Sequence, residues 1–256
     1  MLVVARELRA ALHELFTTRK FRIILISLVL IAAFISVSEL AVAKLFTGII
    51  LNEGEMSQTQ LAILVTVFFL FFAATRVGHF FQRIYRVNVF DKAFKHAKSD
   101  QRNSKGNWRW SLAFELTNLL SSAAQLGVII LIFFYLNWAF ALLNILIVLV
   151  IFRIYGRLFM KQIEAQRGFV LAKLNKQPVK NSVRIGSRVK TGETGILISG
   201  AAMLILLAAL FYLSYTGGIS QSNTIVFFFG LRMQNNNLSS ISSSLMRFAR
   251  ARTYSE

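Results

Sequence analysis

Glu39 and Lys44 stand in a stretch that is almost wholly apolar from Phe21 to Leu51. A charged side chain in such surroundings is costly in lipid, so it faces protein, a hydrated cavity or the membrane surface. Five residues of helix set the two about 140° apart, so they are not a local ion pair. Glu39 is expected to face a cavity or a neighbouring helix, and Lys44 to reach the surface along its aliphatic stem. Arg76 and His79 share one helical face in a second apolar stretch, and Glu115 begins a third at a similar depth. An Arg76–Glu115 ion pair between helices is expected, either as packing or as a substrate contact. Asn118, Gln125 and Asn144 carry amides able to bond across helices, at about 0.6 kcal/mol each on average. The densest polarity is Gln234-Asn235-Asn236-Asn237, followed by Ser239, Ser240, Ser242, Ser243 and Ser244. Lipid satisfies none of these groups. They either line a hydrated pathway, through Gln234, Asn235, Asn237, Ser240 and Ser244, or belong to a helix that has left the membrane after Arg232.

Other chemistries are poorly supplied. The chain has no Cys, and His13, His79 and His96 are far apart in sequence; the one carboxylate at i+3 or i+4 from any of them is Asp100 after His96, with no third ligand beside the pair. No metal site is therefore expected. No carboxylate pair or Ser-His-Asp set assembles at a sensible depth, and no G-x-x-x-x-G-K-[ST] phosphate loop occurs, so the chain is not expected to be an enzyme or to bind a cofactor itself.

These residues must be positioned by long helices. Of the 256 residues 55% are hydrophobic, with 24 Phe and one Pro, and the apolar residues fall in blocks that, with their flanks, approach the roughly 20 residues of a helical span. The sequence predicts an all-α polytopic membrane protein of one domain, 1–256. It has an amphipathic helix at 2–18 and spans at about 21–51, 61–82, 111–135, 138–152, 194–214 and 223–246. The first span is taken as uncleaved, since its run is too long for a signal peptide. The net charge of +18 raises a nucleic-acid reading, which the distribution answers. Arg83 to Arg109 and Arg153 to Lys190 are rich in Lys and Arg, whereas Asn52 to Gln60, Leu136 to Trp138 and Ser214 to Asn223 contain none. Basic residues on alternate connections predict that both termini are cytoplasmic. The charge then meets anionic lipid rather than nucleic acid. Ser99 to Asn107 reads as a turn by composition. Asn137 alone separates two apolar blocks, so the helices on either side are antiparallel neighbours.

The last 65 residues carry a further pattern. An apolar helix ends in Tyr212-Leu213-Ser214-Tyr215-Thr216-Gly217-Gly218-Ile219-Ser220, a helix with Val226-Phe227-Phe228-Phe229 follows, and it closes on Leu245-Met246-Arg247-Phe248-Ala249-Arg250-Ala251-Arg252. This resembles spans five and six of the transmembrane domain of exporter-type ABC transporters. The N-terminal helix, the long first span, the tight turn at Asn137 and the two basic excursions agree in order. The resemblance implies an interlocked homo- or heterodimer of transmembrane halves in a bacterial inner membrane. It implies export of a hydrophobic or amphipathic peptide or lipid by alternating access, with ATP and magnesium only on a separate nucleotide-binding subunit. Two features depart from the family: this sequence holds no ATPase domain, and its cytoplasmic excursions are short. The apolar residues Phe169, Val170, Leu171 and Leu174, beside the Pro178 turn, are the expected docking patch for that subunit. A non-transporting scaffold or anchoring subunit that reuses the same fold is the alternative.

Overall fold

A computed structural model describes residues 2–15, 19–51, 57–95, 103–177 and 179–255. Seven helices account for nearly all of them: α1 (Leu2–Leu15), α2 (Arg19–Ile50), α3 (Gln58–Lys95), α4 (Asn103–Leu136), α5 (Trp138–Leu174), α6 (Asn181–Tyr215) and α7 (Gln221–Ser255). The chain is a polytopic α-helical membrane protein. Among the described residues five helices are long and apolar enough to cross a bilayer: Arg22–Ile50, Gln58–Asn88, Trp110–Leu136, Trp138–Leu174 and Asn181–Tyr215. The sixth expected span lies in α7, which does not meet that measure because amides and hydroxyls crowd its middle. The turn expected at 99–107 does not extend over 103–107. Residues 103–107 are the first turn and a half of α4, and 99–102 lie outside the described residues.

α7 is the axis of the bundle. It packs most extensively on α4 and α6, and also on α5 and α2. Three contacts between α4 and α7 recur every seven residues on each helix. The Trp108 and Tyr254 rings stack at 4.9 Å, Arg247 Nε meets Glu115 at 2.7 Å, and the Ser122 and Ser240 hydroxyls meet at 3.3 Å. A seven-residue repeat keeps one stripe of each helix facing the other, as in an antiparallel coiled coil. Against α6 the approach is closer. Gly192, Gly195, Ser199 and Ala202 form a buried stripe of small residues on α6. A Cβ added at Gly195 would stand 2.0 Å from Ser242 Oγ. In lipid, where apolar surface alone gives little drive to associate, such small-residue faces let backbones pack closely.

The turns at the end remote from the basic connections are compact. Asn137 caps α5 by accepting from the Phe140 N–H at 2.9 Å, and its amide donates to the Gly218 carbonyl at 3.3 Å. α6 ends with Gly217 in the left-handed region, φ 75°. Gly218 N–H donates to Leu213 O and Gly217 N–H to Ser214 O, so two terminal carbonyls are satisfied. α5 ends the same way at Lys176, φ 57°, where the left-handed conformation carries a side chain. Just below the first pair of turns the rings of Phe133, Phe140 and Phe227 meet at 4.7–5.8 Å, and Gly230 makes room for Phe133. A second core nearer the basic end holds Leu116, Tyr155, Phe159, Leu245 and Phe248. α3 leans on α2 and touches little else, with 6% of its most apolar stretch buried.

Candidate functional site

The polar residues of α7 divide by helical angle. Gln234, Leu238, Ser242 and Leu245 point into the bundle and are buried. Gln234 and Asn144 of α5 exchange two hydrogen bonds, at 2.7 and 2.9 Å, with both residues fully enclosed. Ser242 donates to the Gly192 carbonyl at 3.0 Å. The Tyr155 hydroxyl lies 3.1 and 3.2 Å from the carbonyls of Gly195 and Leu238, sharing its one proton between α6 and α7. Ser199 and Ser239 meet at 3.3 Å. These contacts satisfy groups that hydrocarbon would leave bare.

The opposite side of α7 is different. At 100° per residue, Arg232, Asn236, Ser239, Ser243, Arg247 and Arg250 fall within one narrow sector of the helix. Arg232, Asn236 and Arg247 are exposed, and the other three are partly covered. Arg247 is anchored, donating to Glu115 at 2.7 Å and to Ser244 Oγ at 3.0 Å. A polar stripe therefore runs along the central helix beside its seam with α4, open at Arg232, Asn236 and Arg247 and partly covered between them.

The structure redistributes the residues expected to line a pathway. Gln234 is a buried inter-helix bond. Ser240 pairs with Ser122, and Ser244 is buried beside Arg247. The Asn235 side-chain oxygen is buried without a partner among the described residues. Asn237 is partly covered. The void beside Gln234 and Asn235 measures about 10 Å³, the least that admits one water. Of the five expected to line a hydrated route, Gln234 and Ser244 are packing residues instead, Ser240 is engaged by Ser122, and Asn235 and Asn237 are partly covered. Gln125 donates to the Ala32 carbonyl of α2 at 3.2 Å and ties helices together.

The Arg76–Glu115 pair does not form. Glu115 is 7% exposed and faces α7, where it takes Arg247. Arg76 is on the exposed side of α3, its guanidinium 5.2 Å from the Phe72 ring centroid. The cause is orientation: α3 leans on α2 and barely reaches α4. Glu39 meets His79 of α3 at 3.1 Å, both half-exposed. Lys44, expected to reach the surface, is exposed and donates to Asn223 Oδ1 at 2.6 Å and Ser222 Oγ at 3.1 Å, clasping α2 to the start of α7. Arg86 bonds the Asn118 amide and lies over the Phe114 ring.

Of the expected docking residues, Leu171 and Leu174 are 59% and 72% exposed at the tip of α5, with Phe169 and Val170 partly covered. Val183 and Ile185 of α6 add exposed apolar surface nearby in sequence; Pro178 lies outside the described residues. Sequence reasoning missed Tyr155, Arg247 and the α6–α7 interface. A signal for the last was present, because Gly192, Gly195, Ser199 and Ala202 recur at helical spacing. Among the described residues no three of His, Asp and Glu gather closely enough to hold a metal ion.

No protein-family model and no curated protein matches the chain.

Proposed function

We propose that the chain is one transmembrane half of an exporter-like transporter. It would close a hydrated pathway against a second half through the partly open polar stripe of α7, and move a hydrophobic or amphipathic peptide or lipid. The observation that carries this is the exposure of Arg232, Asn236 and Arg247 along the helix at the centre of the bundle. Charged and amide groups on a lipid-facing surface are expensive, so this stripe calls for water or a partner helix. The resemblance of the last two helices to exporter spans five and six supports a second transmembrane half as that partner. A separate ATP-hydrolysing subunit would supply the energy, docking at Leu171 and Leu174. α5 and α6, at 37 and 35 residues, are about 55 and 52 Å long. They pass well beyond a hydrocarbon core of about 30 Å, enough for short arms on the basic side.

Asn236→Cys tests the pathway in this Cys-free chain. In membranes it is expected to react with a hydrophilic thiol reagent, whereas Leu204→Cys, on the exposed apolar side of α6, is not. Arg232→Cys and Asn236→Cys are also expected to cross-link two transmembrane halves. If both positions are inert to the reagent and to cross-linking, the stripe is neither wet nor paired, and the transport reading fails. The buried Asn144–Gln234 and Ser242–Gly192 bonds favour a second reading, a rigid membrane anchor whose polar residues serve packing alone. Under that reading the partner bound at Leu171 and Leu174 is retained while Asn236→Cys stays unreactive.

A further inference from the structure

Where α1 crosses α4, α5 and α7, the bundle leaves an open groove of about 310 Å³. Val4 and Leu8 of α1, Leu120 and Ala123 of α4, Phe152 of α5 and Ile241 of α7 are among its walls, and almost none of its surface is polar. A second depression of about 470 Å³ shares Val4 and Gly156 with it and continues along α5 past Arg153, Arg157 and Lys161. These three recur every four residues, so they form one stripe on the helix. All three are exposed, and among the described residues no hydrogen bond or ion pair engages them. Glu164 is the one acidic residue lining that depression. An apolar slot therefore opens beside three unengaged cations, at the end of the bundle where the basic residues collect.

We propose that this paired groove and basic stripe is a binding site for an anionic phospholipid. An acyl chain lies between α1, α4, α5 and α7, and the phosphate headgroup rests on Arg153, Arg157 and Lys161. The apolar groove selects for a chain but not among lipids, since hydrocarbon is equally content in the bilayer. The cations supply the preference, at the headgroup level where they meet a negative surface. Arginine suits a phosphate because its planar fork donates two parallel hydrogen bonds. α1 forms one wall, so bound lipid also fixes the amphipathic helix against the bundle. The proposal needs only a membrane-embedded bundle, and stands whether or not the chain transports anything.

The test uses the purified chain in detergent, offered phosphatidylglycerol or phosphatidylcholine and read by native mass spectrometry. The wild-type chain is expected to retain phosphatidylglycerol preferentially. Arg153→Gln with Arg157→Gln, both exposed and outside the packed core, is expected to weaken that retention about thirty-fold, the factor matching about 1 kcal/mol per charge. Ala123→Trp, which fills the groove from an exposed position, is expected to weaken retention of both lipids. Lys173→Gln with Lys176→Gln, beyond the groove, is expected to change nothing. Equal retention of the two lipids by the wild-type chain overturns the proposal. So does full retention by the arginine pair, or by the Ala123→Trp chain, since the headgroup or the acyl chain would then lie elsewhere.

Discussion

Asn144 and Gln234 illustrate what one buried amide demands of another. Each donates one bond and accepts one, across 90 residues of sequence, and neither meets solvent. Asn144→Leu leaves the Gln234 amide bare. Membrane hydrogen bonds average about 0.6 kcal/mol and reach about 1.7, and an orphaned buried group costs about 1–3, so a loss of about 1–2 kcal/mol is expected in a thermal melt in detergent. Asn144→Leu with Gln234→Leu is expected to recover most of it, because two apolar side chains leave no orphan. A double variant as unstable as the sum of the singles would show that packing volume, not the bond, is what matters here. Gly195→Val is expected to be more damaging than either. Even a methyl there collides with Ser242 and comes within 3.2 Å of the Tyr155 ring, and the Tyr155 hydroxyl already spans the carbonyls on both sides.

At the scale of elements, α5 and α6 extend past the packed bundle and end in exposed Leu171, Leu174 and Val183. Leu171→Asp with Leu174→Asp is expected to release a co-purifying partner while leaving the melting temperature of the bundle unchanged. If the partner stays, the tip residues are not the dock. α3 is the converse case, a long helix held almost entirely by α2. Its amides are expected to exchange hydrogen faster than those of α7, which four helices surround. The existence of these elements could be read from the sequence, because apolar blocks of span length and the one-residue break at Asn137 leave little choice. Where α4 begins could not: Asn103, Ser104 and Gly106 have turn composition, yet the chain is already helical there. Side-chain partnerships were legible only where spacing alone decides them. Glu39 found a neighbouring helix, but Glu115 found Arg247 rather than Arg76, since the rotation of each helix about its axis is set by tertiary packing. The α7 amides were visible as a cluster. Which of them faces inward depends on the seven-residue seam with α4, and that seam needs both helices to be seen.

For the whole molecule, the alternation of basic connections with ones that hold no Lys or Arg sets the expected orientation, with both termini in the cytoplasm. Ser57→Cys and Ser220→Cys are expected to react with an impermeant reagent on intact cells, and Ser104→Cys only after the cells are opened; the reverse pattern would invert the topology. The single-residue turn at Asn137 also bears on how the chain enters the membrane while it is being made. α4 and α5 are each about 50 Å or more of helix with nothing between them to thread across. When Leu136 leaves the ribosome, its helix has no polar segment to anchor it on the far side. Synthesis of α5, at about 5–20 residues per second, leaves it waiting roughly two to seven seconds. The pair is then expected to enter together as a hairpin. A nascent chain stalled just after α4, carrying Tyr135→Cys, should keep that residue on the ribosome's side, and the same residue should reach the far side once α5 has emerged.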